Sequence, residues 1–303
     1  MPARDLLPAD TAMGALTLRV GDLSALSRYY TTALGLQVLE DGTDAVVLGR
    51  RGSAVLRLES ARHLRLPPPG EAGLFHTALL FADRADLAAA VASAARHELS
   101  TYVGSADHLV SEAFYFTDPE GNGIELYVDR PRGSWTWTGG TEDVRSVVMD
   151  NLPLPPRDYL ERHLTEDAVS HAQSKAASIG HVHLQVGDVG TAHRFYVGVL
   201  GFERTAGWHD QALFVSAGGY HHHMAMNVWN SRGAGPRKDT LGLGEVLLRV
   251  PSADEVGALA DRLAHAGVPN HHTGAELRFE DPWRNRLRVA VADAPGAAPG
   301  GIA

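Results

Sequence analysis

The stretch Ala15-Leu-Thr-Leu-Arg-Val-Gly-Asp-Leu23 recurs 166 residues later as His181-Val-His-Leu-Gln-Val-Gly-Asp-Val189. In both copies apolar and polar residues alternate and a Gly-Asp pair follows, which predicts a strand, a turn and the start of a helix. The similarity continues into that helix, where Arg28-Tyr-Tyr30 matches Arg194-Phe-Tyr196. The chain therefore contains an internal repeat.

A second repeated unit lies within each half of the chain. His76-Thr-Ala-Leu-Leu-Phe81, followed by a helical stretch from 85 to 98, is similar to Glu245-Val-Leu-Leu-Arg-Val250, followed by a helical stretch from 253 to 266. Both units lead to a final strand that opens after an Asp-Pro turn. We therefore expect an α+β fold with four modules, numbered one to four along the chain, each with a strand, a helix and then two or three strands.

The modules divide the chain into two halves. Residues 13–130 hold modules one and two, and residues 178–292 hold modules three and four. The intervening 131–177 carries several prolines and a short helical patch from Arg157 to Leu164, and it is too long for a tight connection, so we predict a linker that crosses distance. Residues 293–303 are rich in Ala, Pro and Gly, and we predict a frayed tail.

Composition narrows the kind of function. The chain has 303 residues, no Cys and a formal net charge of −9. An acidic chain lacks the electrostatic footprint of nucleic-acid binding, so no nucleic-acid partner is expected. Without Cys, a metal must be held by nitrogen and oxygen, which favours His and carboxylate ligands. No apolar run approaches the roughly 18 to 20 residues of a membrane span, and no signal pattern opens the chain, so we expect a cytoplasmic protein.

Three residues on predicted strands are candidate metal ligands. His76 and His181 lie on the first strands of modules two and three, and Glu125 lies on the last strand of module two. Alternation places Glu125 on the face opposite Ile124 and Leu126, toward whatever the sheet encloses. Two imidazoles and one carboxylate leave open positions on a divalent metal, an arrangement that suits Fe(II) in oxygen chemistry. The alternative is a solvent-facing Glu125 and a structural His76.

Further candidates surround these three. His183 shares a face with His181 by the period of two and competes for the ligand position. In the run Gly219-Tyr-His-His-His-Met-Ala-Met-Asn227, alternation lets either His221 and His223, or His222 alone, face one cavity. A neutral His beside a metal-bound oxygen can serve as a general acid or base. The alternative is a cluster of surface histidines.

Two candidates precede Glu125 along the chain. Tyr115 lies ten residues earlier, across an Asp-Pro turn, so we expect it to fold back close to the carboxylate, where it can donate a hydrogen bond to an anionic substrate. The alternative is a core Tyr. His108 is expected in the neighbouring strand. Trp208 and Trp229 are compatible with an aromatic substrate, although packing is the more common role of such residues.

The repeated unit resembles the vicinal oxygen chelate superfamily of glyoxalases, bleomycin-resistance proteins and type I extradiol dioxygenases. The resemblance rests on His-x4-Val-x-Asp from His181, on Arg-Phe-Tyr in the helix, and on Asp-Pro-x-Gly-Asn-x-Ile-Glu ending at Glu125. Within the superfamily, the segments 105–115, 121–131 and 216–223 resemble bacterial catechol 2,3-dioxygenases of the CatE type. The resemblance implies four βαβββ modules that form two barrels of mixed sheet with flanking helices.

The resemblance also implies an activity and the roles of residues. It implies an extradiol ring-cleaving dioxygenase acting on a catechol-like aromatic diol with O2, with Fe(II), or alternatively Mn(II), as its metal. The implied metal ligands are His76, Glu125 and His181. His222 matches the catalytic His of the family and Tyr115 its pocket Tyr, whereas His108 matches the second pocket His only loosely.

The ligand set determines which modules must pair. In module one the ligand position is Ala15, and module four has Glu245 and Arg288, whose guanidinium would repel a cation. We therefore expect modules two and three to pair across the two halves, with modules one and four as a metal-free companion. A glyoxalase-like isomerase or lyase and a non-catalytic small-molecule-binding protein remain alternative functions, and the oligomeric state, with a homo-oligomer as one option, is open.

Overall fold

The first half of the chain contains two complete modules. The computed structural model describes residues 6–139, 145–173 and 175–292. The first elements are β1 (Ala12–Met13) and then module one, with β2 (Leu16–Val20), α1 (Leu23–Ala33), β3 (Gln37–Asp41), β4 (Ala45–Arg50) and β5 (Ser53–Ser60). Module two contains β6 (Gly73–Phe81), α2 (Arg84–Arg96), β7 (Thr101–Asp107), β8 (Ser111–Thr117) and β9 (Gly123–Asp129).

The connection between the halves has structure of its own. It contains a 3-10 helix (Arg132–Ser134), β10 (Trp137–Thr138), β11 (Ser146–Val147), β12 (Leu152–Pro153), α3 (Pro156–His163) and α4 (Glu166–Ser170). The predicted helical patch is confirmed as α3. Its Tyr159 is buried and its ring centroid lies 4.9 Å from that of Phe114 on β8. The connection therefore packs against module two as well as joining the two halves of the chain.

The second half repeats the same order of elements. Module three contains β13 (Ala177–Gln185), α5 (Val189–His193), a π-helix (Arg194–Val199), β14 (Glu203–Trp208), β15 (Ala212–Ser216) and β16 (Met224–Asn227). Module four contains β17 (Gly242–Val250), α6 (Ala253–His265), β18 (Asn270–His272), β19 (Glu276–Glu280) and β20 (Arg286–Val291). The predicted tail, 293–303, lies outside the described residues.

The repeated Gly-Asp pair starts a helix in both halves, as predicted. The side chains of Asp22 and Asp188 each accept a hydrogen bond from a backbone N–H in the first turn, from Ala25 and Thr191 respectively. Such a cap satisfies a donor that has no partner within the helix. Each of these helices therefore begins at the residue after its Asp.

The strands form two large mixed sheets, and each sheet combines one module from each half. One has the order β18-β19-β20-β17-β2-β5-β4-β3, with β1 also on β17, and so joins modules four and one. The other has the order β12-β7-β8-β9-β6-β13-β16-β15-β14 and joins modules two and three through the antiparallel pair β6–β13. The predicted pairing across the halves is confirmed, as is the α+β class. In the described part of the chain each hydrogen-bonded path is open rather than a closed barrel.

The described helices are all short relative to a bilayer. None of them is both long enough and apolar enough to span a membrane.

Candidate metal centre

The three predicted ligands lie on adjacent strands in the middle of the second sheet. β6 pairs in parallel with β9 on one side and antiparallel with β13 on the other. Glu125 and His181 both lie in register with Ala78 of β6, one on each side, and His76 is two residues from Ala78 on the same strand. Because residues two apart share a face, the register brings the three side chains to one surface, over the small side chain of Ala78.

The ligand atoms converge closely. The Nε2 atoms of His76 and His181 lie 2.9 Å and 3.0 Å from the same oxygen, Oε2 of Glu125. One ligand atom from each residue lies within 4.8 Å of the others, and all three residues are buried. Donor atoms at right angles around an ion, each about 2.1 Å from it, are about 3.0 Å apart, so the spacing suits a divalent metal.

The protonation states also suit a metal. Burial by itself raises the pKa of Glu125, but the neighbouring imidazoles of His181 and His76 lower it by more than burial raises it. The net pKa of Glu125 is therefore well below its usual value. Burial lowers the pKa of His181. An ionised carboxylate and a neutral imidazole are the forms that bind metals.

Two buried polar atoms of this cluster, Nε2 of His76 and Nδ1 of His181, make no hydrogen bond with any described residue. Of these two, Nε2 of His76 faces the Glu125 carboxylate. A buried polar nitrogen without a partner costs free energy, and a cation between the two groups would remove that cost. Together with the donor types and their spacing, this indicates that the residues fit a divalent metal. Three protein ligands leave positions open for other ligands.

A glycine makes room beside His181. A β-bulge lies between Ile179 and His181, and a Cβ at Gly180 would collide with the hydroxyl of Tyr127. The Tyr127 ring centroid lies 4.9 Å from that of His181. Gly180 on β13 therefore leaves room for the Tyr127 side chain of β9, which packs beneath the His181 imidazole.

Tyr115 lies where the sequence predicted. It is directly opposite Glu125 in the antiparallel pair β8–β9, so the expected approach to the carboxylate is confirmed. Burial raises the pKa of Tyr115 well above its ordinary value, and the charge of Glu125 adds to this effect. Tyr115 is therefore a neutral phenol that can donate a hydrogen bond.

His108 holds the hydroxyl of Tyr115 but lies outside the strands. Its Nε2 is 2.6 Å from that hydroxyl, and its Nδ1 is 3.0 Å from the carbonyl oxygen of Asp150. Since a carbonyl only accepts, Nδ1–H of His108 donates to it, and in the neutral ring Nε2 accepts from Tyr115. The expectation of a strand at His108 was wrong, because Leu109, with φ of 68°, reverses the chain between β7 and β8.

The three consecutive histidines lie in the loop between β15 and β16. The prediction that they alternate between two faces of a strand was wrong, because Gly218 and Gly219 have positive φ and the strand ends before them. All three histidines are buried, so they are not a surface cluster. His222 is the one beside the ligands, with its ring centroid 4.1 Å from that of His181.

The other two histidines of the loop have different surroundings. His223 accepts at Nδ1 from the Ser216 hydroxyl and from the backbone N–H of Ala217, and burial lowers its pKa to about 3. His221 contacts His222, with the ring centroids 4.5 Å apart. Burial lowers the pKa of His222 well below its ordinary value, and the nearby imidazoles of His181 and His221 contribute. His222 is thus a neutral base next to the ligand cluster.

His183 also faces the cluster but has another partner. Its ring centroid is 4.8 Å from that of His76, and its Nε2 lies 3.0 Å from the side-chain nitrogen of Asn227, which donates to it. His183 therefore lies outside the His76, Glu125 and His181 group. Asn227 was missed by the sequence reasoning, because the contact joins β13 to β16 and no local pattern marks it.

Aromatic side chains flank the cluster on one side. Trp229 is 45% exposed, and its ring lies 5.3 Å from Phe75 and 5.5 Å from His183, centroid to centroid. Trp208 is also half exposed. Neither Trp is a core residue, and Trp229 offers an apolar face next to Phe75 and His183.

The corresponding place in the first sheet is filled by ion pairs. By register, Glu245 corresponds to His76 and Arg288 to Glu125. Arg288 lies 2.9 Å from both Glu245 and Glu276, through Nε and Nη1. The guanidinium of Arg288 lies between the carboxylates of Glu245 and Glu276, where a bound cation would otherwise lie. In the first sheet these two acidic side chains are therefore neutralised by Arg288.

Comparison with known proteins adds independent findings. The sequence matches the model of the Glyoxalase/Bleomycin resistance protein/Dioxygenase superfamily over residues 12–126 and 178–289. A catechol-2,3-dioxygenase of Bacillus subtilis (strain 168) is 36% identical over 277 residues, which cover 90% of this chain and 94% of that protein.

Solved structures show the same fold at low sequence identity. A Bacillus subtilis subsp. subtilis str. 168 protein, provisionally described as a dioxygenase, has a TM-score of 0.60 and 14% identity over 96% of this chain and 86% of its own. Glyoxalase I of Zea mays has a TM-score of 0.55 and 16% identity over 93% of this chain and 92% of its own. At these identities the likeness concerns the fold alone.

Proposed function

Since the chain belongs to the glyoxalase, bleomycin resistance protein and dioxygenase superfamily, we propose that it is a metal-dependent extradiol dioxygenase that opens the ring of a catechol-like aromatic diol with O2. The observation that carries the proposal is the convergence of two imidazoles and one carboxylate, all buried, on adjacent strands. The name of the 36% identical relative supports the same reaction class.

His76, Glu125 and His181 would hold the metal, with Fe(II) as first choice and Mn(II) as the alternative. When bound, the metal would supply Lewis acidity that favours ionisation of the diol hydroxyls, together with open positions for small ligands. Among the described residues the ligand group has three members. A set of two His and one carboxylate is typical of non-haem iron oxygenases.

Two side chains would handle protons at the substrate oxygens. His222 is buried and neutral beside His181, so it can accept a proton from a diol hydroxyl. Tyr115 is a neutral phenol whose hydroxyl is held by His108, and it can turn to donate a hydrogen bond to an oxygen that becomes negative. His108 would then act by orienting Tyr115.

The aromatic side chains would position the substrate ring. Phe75 presents its ring beside His76, and Trp229 packs against Phe75. Offset or edge-to-face packing of aromatic rings favours an aromatic substrate over an aliphatic one. This feature supports a catechol as the diol.

The overall reaction consumes one O2 per diol. The carbon–carbon bond beside the two hydroxylated carbons breaks, both oxygen atoms of O2 enter the product, and no external reductant is needed. The product is a ring-opened semialdehyde.

The test is O2 uptake by protein prepared without oxygen and loaded with Fe(II). We expect one metal per chain, and one O2 consumed per molecule of a catechol, with resorcinol and hydroquinone inert because their hydroxyls are not adjacent. Stoichiometric metal without O2 uptake on any vicinal diol would contradict the proposal and favour an isomerase or lyase. Absence of stoichiometric metal would favour a binding protein. The cytoplasmic location stays a prediction, and a homo-oligomer stays one option for the oligomeric state.

A further inference from the structure

We propose that Asp129 and His221 are positioning residues that fix the tautomer of His222, with its proton on Nδ1 and its Nε2 left as the basic nitrogen. The inference rests on the proposed function, in which His222 takes a proton from the substrate. Neither Asp129 nor His221 is a metal ligand or contacts the substrate in that proposal.

The three side chains form a continuous chain of hydrogen bonds. Asp129 ends β9, the strand that carries Glu125, and lies on the same face by the period of two. Its Oδ1 is 2.8 Å from Nε2 of His221, and Nδ1 of His221 is 2.7 Å from Nδ1 of His222. His221 is fully buried.

The donor and acceptor in each of these hydrogen bonds follow from what each group can donate. An ionised carboxylate only accepts, so Nε2 of His221 carries its proton toward Asp129. In this proposal His221 is a neutral imidazole, which has one N–H, so that its Nδ1 is bare and accepts. Nδ1 of His222 must then be the donor, and because that ring also has one N–H, its Nε2 is bare.

The packing around His221 keeps its ring in this orientation. The Tyr220 ring lies 4.1 Å from the His221 ring and the Trp135 ring lies 5.2 Å from it, centroid to centroid. The Thr205 hydroxyl donates to the backbone carbonyl of His221. The loop and the ring are thus held from several sides, and Asp129 selects which nitrogen of His221 is protonated.

The tautomer matters because the opposite one would give His222 the opposite role. With the proton on Nε2, His222 would present a donor and could not take a proton there. The second partner of a catalytic or metal-bound His commonly sets its tautomer in this way. Here Asp129 would set the tautomer of His222 indirectly, through the imidazole of His221.

The first test measures the tautomer directly in metal-free protein. Long-range ¹H–¹⁵N NMR spectra of ¹⁵N-histidine-labelled protein, with the His222 signals assigned from their loss in His222→Gln, report which nitrogen is protonated. We expect the proton on Nδ1 in the wild type and a mixed or reversed tautomer in Asp129→Ala. Ser216→Ala, which removes a hydroxyl bonded to the neighbouring His223 but leaves the Asp129–His221–His222 hydrogen bonds intact, should match the wild type.

The second test measures turnover of the Fe(II)-loaded enzyme on a catechol. Asp129→Ala should lower kcat by about 10- to 100-fold, the usual effect of losing such an outer partner, with little change in KM. Asp129→Glu, which restores a carboxylate, should recover most of the activity and the wild-type tautomer.

The outcomes separate this inference from the proposed function. A proton on Nε2 of His222 in the wild type, or an unchanged tautomer in Asp129→Ala, would overturn the inference. The tautomer needs neither metal nor substrate, so the expected spectra combined with no ring cleavage would uphold the hydrogen-bond chain and refute the dioxygenase assignment instead.

Discussion

Replacing Glu125 by Gln keeps the shape of the side chain and removes its charge, and we expect it to remove most of the metal affinity. Glu125 is 2% exposed, and its Oε2 faces both imidazoles at 2.9 Å and 3.0 Å. A Gln offers one neutral oxygen in place of an anionic ligand, and its amide N–H2 would repel a cation.

The size of the effect can be worked out from metal linkage. Loss of a group that only supports a ligand costs about 10- to 100-fold in affinity, so loss of the ligand charge should cost at least about 100-fold. At a metal concentration of 100 times the wild-type Kd, binding stabilises the wild type by about 2.7 kcal/mol and a 100-fold weaker variant by about 0.4 kcal/mol. For a chain of 303 residues, the difference of about 2.3 kcal/mol corresponds to about 4 °C in Tm.

The assay is thermal unfolding of metal-free protein with and without Mn(II), which air does not oxidise in neutral buffer on the timescale of a melt. The matched control is Glu112→Gln, because Glu112 is also buried in the same sheet but pairs with Arg84 and Arg130. The control should keep the whole Mn(II)-dependent rise in Tm. An equal rise in Glu125→Gln and wild type would refute the assignment of Glu125 as a ligand.

Three other substitutions test separate parts of the structure. Tyr115→Phe should keep one metal per chain and lower kcat about 10²- to 10³-fold, as loss of an oxyanion donor does, and unchanged O2 uptake would count against its role. Because burial lowers the pKa of His223 to about 3, the unfolded chain takes up that proton first, and stability falls as pH drops below about 6.5. In urea unfolding of metal-free protein between pH 6 and 4, the free energy of unfolding of His223→Gln should therefore fall by up to about 1.4 kcal/mol less per pH unit than that of the wild type. Equal slopes of the free energy of unfolding against pH would contradict this. Gly180→Ala should lower the free energy of unfolding by about 1–3 kcal/mol through its collision with Tyr127, and a neutral result in the same unfolding assay would show that β13 can move away.

Much of the fold could be predicted because its signals are local and repeated. The period of two marks strands, Asp after Gly marks helix starts, and the repeat shows each pattern more than once. The pairing across halves followed from chemistry: Arg288 cannot serve as a ligand, so module four could not complete a site with His181. The strands of modules two and three do pair.

The parts that sequence reasoning missed depend on turns and on contacts far apart in the chain. Two positive-φ glycines end β15, so the histidine run leaves the strand pattern that alternation assumed. The contact of Asp129 with His221 joins residues 92 positions apart, and no spacing rule reports it. The bulge at Gly180 and the close approach of Tyr127 to it join residues far apart in the sequence, and only the assembled sheet reveals them.

Anomalous diffraction from crystals grown with Mn(II) would test the central claim most directly. The account predicts one anomalous peak per chain, about 2.0–2.3 Å from Nε2 of His76, Oε2 of Glu125 and Nε2 of His181. A peak at another group of side chains, or no peak between these three atoms with Mn(II) in excess, would contradict it.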